Sequence, residues 1–314
     1  MKKKIVKFRK YEELEGQIVQ DNYTDHFTPF SHYDFYAAGV LETEILPEVE
    51  PTKPGIYEVV VRNHDAVLLE KSLLIEPNVG NINKNSIKDK IQIFLNRHDF
   101  FIKKGLIPKR GILLHGVPGC GKTHCVNHTV SELRGEKGLV IYFSMDNLDI
   151  YMLNSVLKRV DYTNIDKLFL VIEDLGGAEM TDGMTNSFLP SSSDLLSLLD
   201  GNSLENKTLP TVILSTTNYP KNLLENLLDR PGRFDEVLEF GLPSGDESLI
   251  YAEILYDNLT DFDRKSIKDG GVSLAHIKEA IVRKEVYDIP IYTTLDDMRK
   301  NSKKVKADIA SKTV

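Results

Sequence analysis

At 314 residues the chain has room for one large domain or two to three smaller ones, each with its own core. Its 41 % hydrophobic and 27 % charged residues are ordinary for a globular chain, and a net charge of −8 argues against broad, sequence-independent nucleic-acid binding. No run approaches the ~18 apolar residues of a membrane span, so none is expected.

In chain order, the start MKKKIVKFRK is basic, but no apolar stretch follows and Glu12, Glu13 and Glu15 arrive at once. It reads as neither a secretory signal nor a transit peptide. Residues 1–82 read as a small, mainly β N-terminal region. Aromatic residues between Tyr23 and Tyr36 would be its core, and Pro47, Pro51 and Pro54 punctuate it. Strand-like runs over Gly55–Val61 and Ala66–Leu69 flank the turn residues Asn63, His64 and Asp65. Asn78–Asn85 is polar, contains a glycine and reads as a linker. Between Ser86 and Lys104, Ile87, Ile91, Phe94, Leu95 and Phe101 recur at helical spacing.

From 83 to 243 strand-like runs at 111–115, 139–143, 168–172, 211–215 and 236–240 alternate with helical or loop segments. Nearly continuous apolar strands separated by helices predict an α/β fold, here a five-stranded parallel sheet covered on both faces. After Pro243 the chain turns helical over 244–298. Ser244 with Glu247 is a capping box, Ser273 opens a second helix and Thr294 a third. The basic, apolar-poor tail, 299–314, is left partly disordered. Cys120 and Cys125 read as free thiols of a reducing compartment.

The segment Gly116-Val117-Pro118-Gly119-Cys120-Gly121-Lys122-Thr123 lies between the apolar run Ile112–Leu114 and a helical segment opening at His124. This is G-x-x-x-x-G-K-T in the strand–loop–helix context that gives it meaning. Its glycines let successive backbone N–H groups face a nucleotide's phosphates, and the helix N-terminus adds its positive end. Lys122 would reach the β- and γ-phosphates and Thr123 would ligate Mg²⁺, so ATP or GTP is the expected ligand.

Three further segments complete a phosphoryl-transfer set. The apolar strand Leu168–Ile172 ends in Glu173 and Asp174, two acids suited to a Mg²⁺ shell and an attacking water. A second strand, Val212–Thr217, ends in Asn218, which is placed to contact a γ-phosphate. In Asp229-Arg230-Pro231-Gly232-Arg233-Phe234-Asp235 a Pro-Gly turn holds two arginines suited to phosphate oxygens, as arginine fingers are.

Together these sets resemble the AAA+ ATPases over roughly residues 84–285. The chain is most similar to the branch containing the mitochondrial inner-membrane translocase of the Rieske iron–sulfur protein. The resemblance there rests on K-x-G-L-I-P-K-R-G-I-L-L-H-G, V-I-E-D, S-D-L-L-S-L-L-D-G at 193–201 and T-T-N-Y-P at 216–220. It implies a homo-oligomeric ring of six or seven subunits, ATP and Mg²⁺ at each interface, and the 244–298 helices as a lid. Residue by residue it implies that Gly116 to Thr123, with His124, cradle the nucleotide. Thr123 and Glu173 would hold the metal, Asp174 would polarise the water, Asn218 would sense the γ-phosphate, and Arg230 and Arg233 would act on the next subunit's nucleotide.

The chain departs from the family in three places. Ser144–Met152 lacks the aromatic-hydrophobic-Gly grip of many unfoldases, and the translocase branch's N-terminal membrane helix is missing. The lid carries Ser273-Leu274-Ala275-His276 where relatives often place Gly-Ala-Asp or an arginine, so no lid residue is assigned a catalytic role. Gly176–Ser192, long and rich in small residues, would line a central opening or leave the surface as a loop. The expected function is a ring ATPase that remodels or translocates proteins in a cytoplasm, a host's if the chain is viral. The competing readings are a nucleic-acid motor or loader, and an assembly scaffold with slow hydrolysis.

Overall fold

The computed structural model describes residues 53–62, 65–73, 82–144, 150–175, 192–220, 223, 227, 230 and 232–312. The aromatic cluster expected between Tyr23 and Tyr36, the 176–191 loop and residues 145–149 lie outside the described residues.

The strands are β1 (Gly55–Arg62), β2 (Asp65–Glu70), β3 (Lys109–Gly116), β4 (Gly138–Ser144), β5 (Lys167–Glu173), β6 (Thr211–Thr217) and β7 (Glu236–Phe240). They form one sheet in the order β2-β1-β4-β5-β6-β3-β7, parallel throughout except for the β1–β2 pair. Alternate side chains of the same strands feed two cores, as the period of two requires. Leu139, Ile141 and Phe143 of β4 point to one face with Leu168, Leu170 and Ile172 of β5. Val140 and Tyr142 point to the other with Phe169 and Val171. Helices α4 (Ile150–Arg159) and α5 (Ser192–Leu199) cover the first face. Helices α1 (Ile82–Arg97) and α3 (Lys122–Leu133) cover the second. The short α2 (Asp99–Lys103) follows α1.

The sheet has seven strands, not the five expected, and the two added are those that had been given to a separate N-terminal region. β1 runs parallel to β4 with Gly55 opposite Leu139 and Glu58 opposite Tyr142, and β2 closes the edge. The cause is visible in the side chains. Val59 and Ala66 belong to one core, while Ile56 and Leu73 pack on the other. A two-stranded hairpin with apolar residues on both faces is marginal alone, and the edge of β4 offers it unpaired backbone groups. Arg159 of α4 clips the hairpin down, its Nη1 donating to Asp65 Oδ2 at 2.8 Å and its Nη2 to the Ala66 carbonyl.

Beyond β7 a helical lid has its own core, built around Ala252, Ile267, Ile277, Ala280, Ile291 and Leu295. It comprises α6 (Gly245–Leu255), α7 (Asp261–Lys268), α8 (Leu274–Tyr287) and α9 (Ile291–Lys312). The capping box at Ser244 and Glu247 is formed, and Ser273 caps α8. Helix α7 was not expected, because Ile267 is its one buried large apolar residue and the apolar pattern is too sparse to see. Its signature is the capping box of Thr260 and Asp263.

Two expectations for the C-terminal end are corrected. The last helix begins at Ile291, after Pro290, and Thr294 is buried within its first turn rather than capping it. The tail after residue 298 continues that helix to Lys312 instead of being disordered. Ile291, Leu295 and Met298 seat the helix on the lid core. Arg299 then ties it down, Nε donating to the Gly270 carbonyl at 3.0 Å and Nη1 to Ser266 Oγ at 3.2 Å. Among the described residues no helix is long and apolar enough to cross a membrane.

Arg299→Ala removes these bonds and leaves their acceptors in a half-buried place. It is expected to destabilise the lid by about 1–3 kcal/mol, against about 0.5 kcal/mol or less for the exposed neighbour Lys300→Ala. Thermal unfolding and amide exchange in α7 and α8 measure the difference, and equal effects would refute the tie.

Candidate nucleotide site

The site forms where β3, β5 and β6 end side by side on the C-terminal edge of the parallel sheet. That is where open α/β sheets bind ligands. β3 leads into the glycine loop. Gly116 takes φ 133°, and a Cβ there would lie 2.3 Å from the Phe240 carbonyl oxygen of β7, so only glycine lets the loop turn under that strand. Gly119 and Gly121 take φ 75° and 89°, turning backbone inward ahead of the α3 N-terminus.

The lid closes the loop from the other side. The Ala275 amide of α8 donates to the Gly119 carbonyl at 3.1 Å, and a Cβ on Gly119 would meet the Ala275 side chain at 2.8 Å. Between loop, strand ends and lid lies a cavity of about 330 Å³. The loop contributes Pro118, Gly119, Gly121, Lys122, Thr123 and His124. The strand ends contribute Asp174, Thr216 and Asn218.

Lys122 is 7 % exposed, and its ammonium donates to the carbonyls of Gly116 at 2.8 Å and Val117 at 3.0 Å. Burial pushes its pKa below the usual lysine value, while Cys120 and Asp174 push the other way. A buried cation whose hydrogen bonds go to neutral carbonyls is poised for a stronger, anionic partner.

The two acids face different ways. Burial raises the Glu173 pKa first of all, Lys71 lowers it, Asp174 raises it, and a hydrogen bond with the Thr123 hydroxyl lowers it. Glu173 and Thr123 thus touch on the α3 side, as a pair of oxygen donors for a hard cation. Asp174 takes φ 52°, a left-handed conformation uncommon outside glycine, and this turns its carboxylate into the cavity. Its amide donates to Thr216 Oγ1 at 3.3 Å, and Asn218 Nδ2 lies 3.5 Å from its Oδ1.

The sequence-derived set is therefore brought together in part. Lys122, Thr123, His124, Asp174 and Asn218 share one cavity, with Glu173 bonded to Thr123 behind it. Gly116 and Val117 contribute carbonyls rather than cavity wall. Cys120 turns into the core, and burial pushes its thiol pKa up; it and Cys125 are buried thiols outside any disulfide.

Arg230 and Arg233 lie elsewhere, and neither lines this cavity. Arg233 is buried, its Nε donating to Asp200 Oδ1 at 3.1 Å and its Nη2 to Oδ2 at 3.3 Å. Arg230 is 64 % exposed in its side chain, with Nη1 3.6 Å from Asp200 Oδ2. Lys109 braces the segment by donating to the Gly232 carbonyl, and the Gly111 amide donates to Asp235 Oδ2 at 2.9 Å.

Sequence reasoning missed two groups. From the lid, Tyr251, Leu274, Ala275 and Lys278 line the cavity. Their one local trace is that Leu274, Ala275 and Lys278 share a helix face, which does not say what the face meets. From the hairpin, Lys71 lies 5.2 Å from the Tyr142 ring centroid, pairs with Glu58 at 2.6 Å, and acts on Glu173 from a region expected to be separate. No local signal marks that proximity.

Residues 112–242 match the family described as "ATPase family associated with various cellular activities (AAA)". Among curated relatives, the proteasome-activating nucleotidase of Pyrococcus furiosus is 28 % identical over 203 residues, covering 60 % of this chain and 50 % of that one. An AAA-ATPase of Arabidopsis thaliana is 28 % identical over 238 residues, covering 69 % and 48 %. Protein HYPER-SENSITIVITY-RELATED 4 of the same plant is 28 % identical over 232 residues, covering 65 % and 37 %. The chain spans half or less of the length of these three relatives. Residues 112–242 are thus similar to the AAA family over the segment in which a glycine loop and a paired acid lie around one buried lysine.

Proposed function

We propose that the chain is a ring-forming ATPase that couples ATP hydrolysis to remodelling or translocation of protein substrates. One observation carries the reading. Lys122, Thr123, Asp174 and Asn218 converge on one cavity from three adjacent strand ends, while the arginine segment sits outside it. The residues fit a Mg²⁺-nucleotide. In this reading the loop amides and Lys122 hold the β- and γ-phosphates, and Thr123 with Glu173 holds Mg²⁺, which supplies charge neutralisation at the phosphates. Asp174 orients the attacking water and takes up its proton, and Asn218 fixes the Asp174 carboxylate and reports the γ-phosphate.

Because Arg230 projects outward, it serves the nucleotide of an adjoining subunit, with Arg233 held against Asp200 as its neighbour in that contact. A protein substrate is supported by relatives named as proteasome-activating nucleotidases and by the net charge of −8. Within the family we place the chain nearest the Rieske-protein translocase branch, on its Glu173-Asp174 order and the 193–201 and 216–220 segments. One feature favours slow hydrolysis in a scaffold as the second reading: Asp174 is one methylene shorter than the glutamate usual at that place.

Lys122→Ala is expected to weaken ATP binding by about 10- to 100-fold, read by titration calorimetry; unchanged affinity would remove the premise. Asp174→Asn is expected to bind ATP within about threefold of the parent while hydrolysis falls about 10²- to 10⁴-fold. If Glu173→Gln shows that pattern instead, the roles of the two acids are exchanged. Arg230→Ala alone is expected to lose about 10³-fold in turnover. Mixed with Lys122→Ala subunits it should regain part, because one subunit then supplies the arginine and the other the intact loop. No recovery at any mixing ratio would sink the trans geometry.

A further inference from the structure

We infer that Lys71, reaching in from the edge hairpin, is a positioning residue for Glu173 and so sets how strongly Mg²⁺ joins the bound nucleotide. The inference rests on the reading above of Thr123 and Glu173 as the metal's ligands. It gives that pair a supporting residue from outside the segment that matches the family.

Sheet geometry puts the cluster on one face. Glu58 of β1 stands opposite Tyr142 of β4, and Tyr142 stands opposite Val171 of β5. Glu173 follows Val171 by two residues, so the period of two returns it to the face of Tyr142. That face is covered by α3, the helix that opens with Lys122 and Thr123. Lys71 follows directly on β2, its amide donating to the Ile56 carbonyl at 2.8 Å. It therefore lies across from Ile56, which packs on the same core as Tyr142.

The Lys71 ammonium is held at two points. It donates to Glu58 Oε2 at 2.6 Å and lies 5.2 Å from the centre of the Tyr142 ring. Tyr142 is buried, and its hydroxyl donates to Asn127 Oδ1 at 2.8 Å. Asn127 is on α3 one turn after Thr123, so the ring beside Lys71 is tied to the helix that carries Thr123. Glu173 lies within this frame. Burial comes first in raising its pKa, and the Lys71 ammonium comes next, acting the other way, ahead of Asp174, Thr123 and Glu58. Burial first, and Glu173 after it, push the Tyr142 hydroxyl pKa up.

A lysine–glutamate pair on an open surface contributes little. This one is part-buried and set beside a buried acid, where its field is less screened. A cation fixed there keeps Glu173 turned toward Thr123, where the two oxygens suit a hard cation. Glu58 offsets the charge of Lys71, so the ammonium orients the acid without leaving a bare positive charge to repel the metal. Arg159 provides the comparison. It ties down the same hairpin through Asp65 and the Ala66 carbonyl, but from α4 on the other face of the sheet.

The test is the affinity for the β,γ-imido analogue of ATP, titrated by calorimetry in EDTA and again over a series of Mg²⁺ concentrations. Lys71→Ala is expected to stay within about threefold of the parent in EDTA and to lose at least about tenfold of the affinity that Mg²⁺ adds. Lys71→Arg, which keeps the cation, is expected to recover most of that loss. Arg159→Ala is expected to lower thermal stability and leave the Mg²⁺ dependence at the parent value. A Mg²⁺ dependence unchanged or strengthened in Lys71→Ala would overturn the inference, and so would a loss that Lys71→Arg does not recover. An equal loss in Lys71→Ala and Arg159→Ala, or one that extends to EDTA, would also overturn it, by giving the effect to the hairpin's fold. A parent chain that binds the analogue but gains nothing from Mg²⁺ would overturn the metal reading of Glu173 together with the role of Lys71. A parent that binds no analogue at all would overturn the ATPase reading itself.

Discussion

A single buried ammonium sets the terms for the rest of this molecule. Lys122 is almost wholly removed from water, and its charge is met by the carbonyls of its own loop, with Cys120 and Asp174 favouring the charged form. Burying a cation costs several kcal/mol unless it finds partners, so the structure around it must supply close, fixed acceptors. The loop does so because Gly116, Gly119 and Gly121 take backbone angles that other residues resist. The lid keeps the loop so shaped by bonding Gly119 from Ala275. A phosphate entering this place would exchange neutral acceptors for anionic ones, which is the differential interaction that nucleotide binding needs.

The hairpin at the far edge of the sheet changes the meaning of the region before the segment similar to the AAA family. Its two strands extend the sheet whose strand ends line the cavity, and in doing so set Lys71 and Glu58 beside Tyr142 and within the field of Glu173. A cation near the acid that faces Thr123 lowers the cost of keeping that acid ionised, and burial raises it. The edge of the sheet is therefore electrically part of the site although no residue of it lines the cavity.

The arginine segment shows how one acid can organise two cations for different ends. Asp200 holds Arg233 in a buried, two-point contact and reaches Arg230 only at 3.6 Å, leaving Arg230 largely in solvent. The guanidinium's planar donors suit the fixed pairing, and the exposed partner keeps its freedom to find another oxyanion. The brace from Lys109 and Asp235 to the base of β3 joins this segment to the same strand that ends in the glycine loop. A chain contacting Arg230 would thus press on the strand that carries Lys122.

What was legible in the sequence was local. The glycine spacing with Lys122 and Thr123, the acids that end β5, the Asn218 that follows β6 and the capping box at Ser244 each declare themselves within a few residues. Turn geometry, strand burial and helix capping are short-range effects. The central strands were legible for the same reason, since a strand buried on both faces must be apolar almost throughout. Tertiary structure alone decided the contacts made across long separations. Residues 55–70 join the sheet edge, where their two apolar faces are buried in its two cores, and no local pattern distinguishes that from a separate hairpin. The tail is helical because Arg299 meets Ser266 and Gly270, and Lys278 reaches the nucleotide cavity because the lid core orients α8. Whether Arg233 is exposed or buried depended on Asp200, a residue 33 positions away in the chain. Pairings at such range are set by packing of whole elements, and that is information a sequence holds only once it has folded.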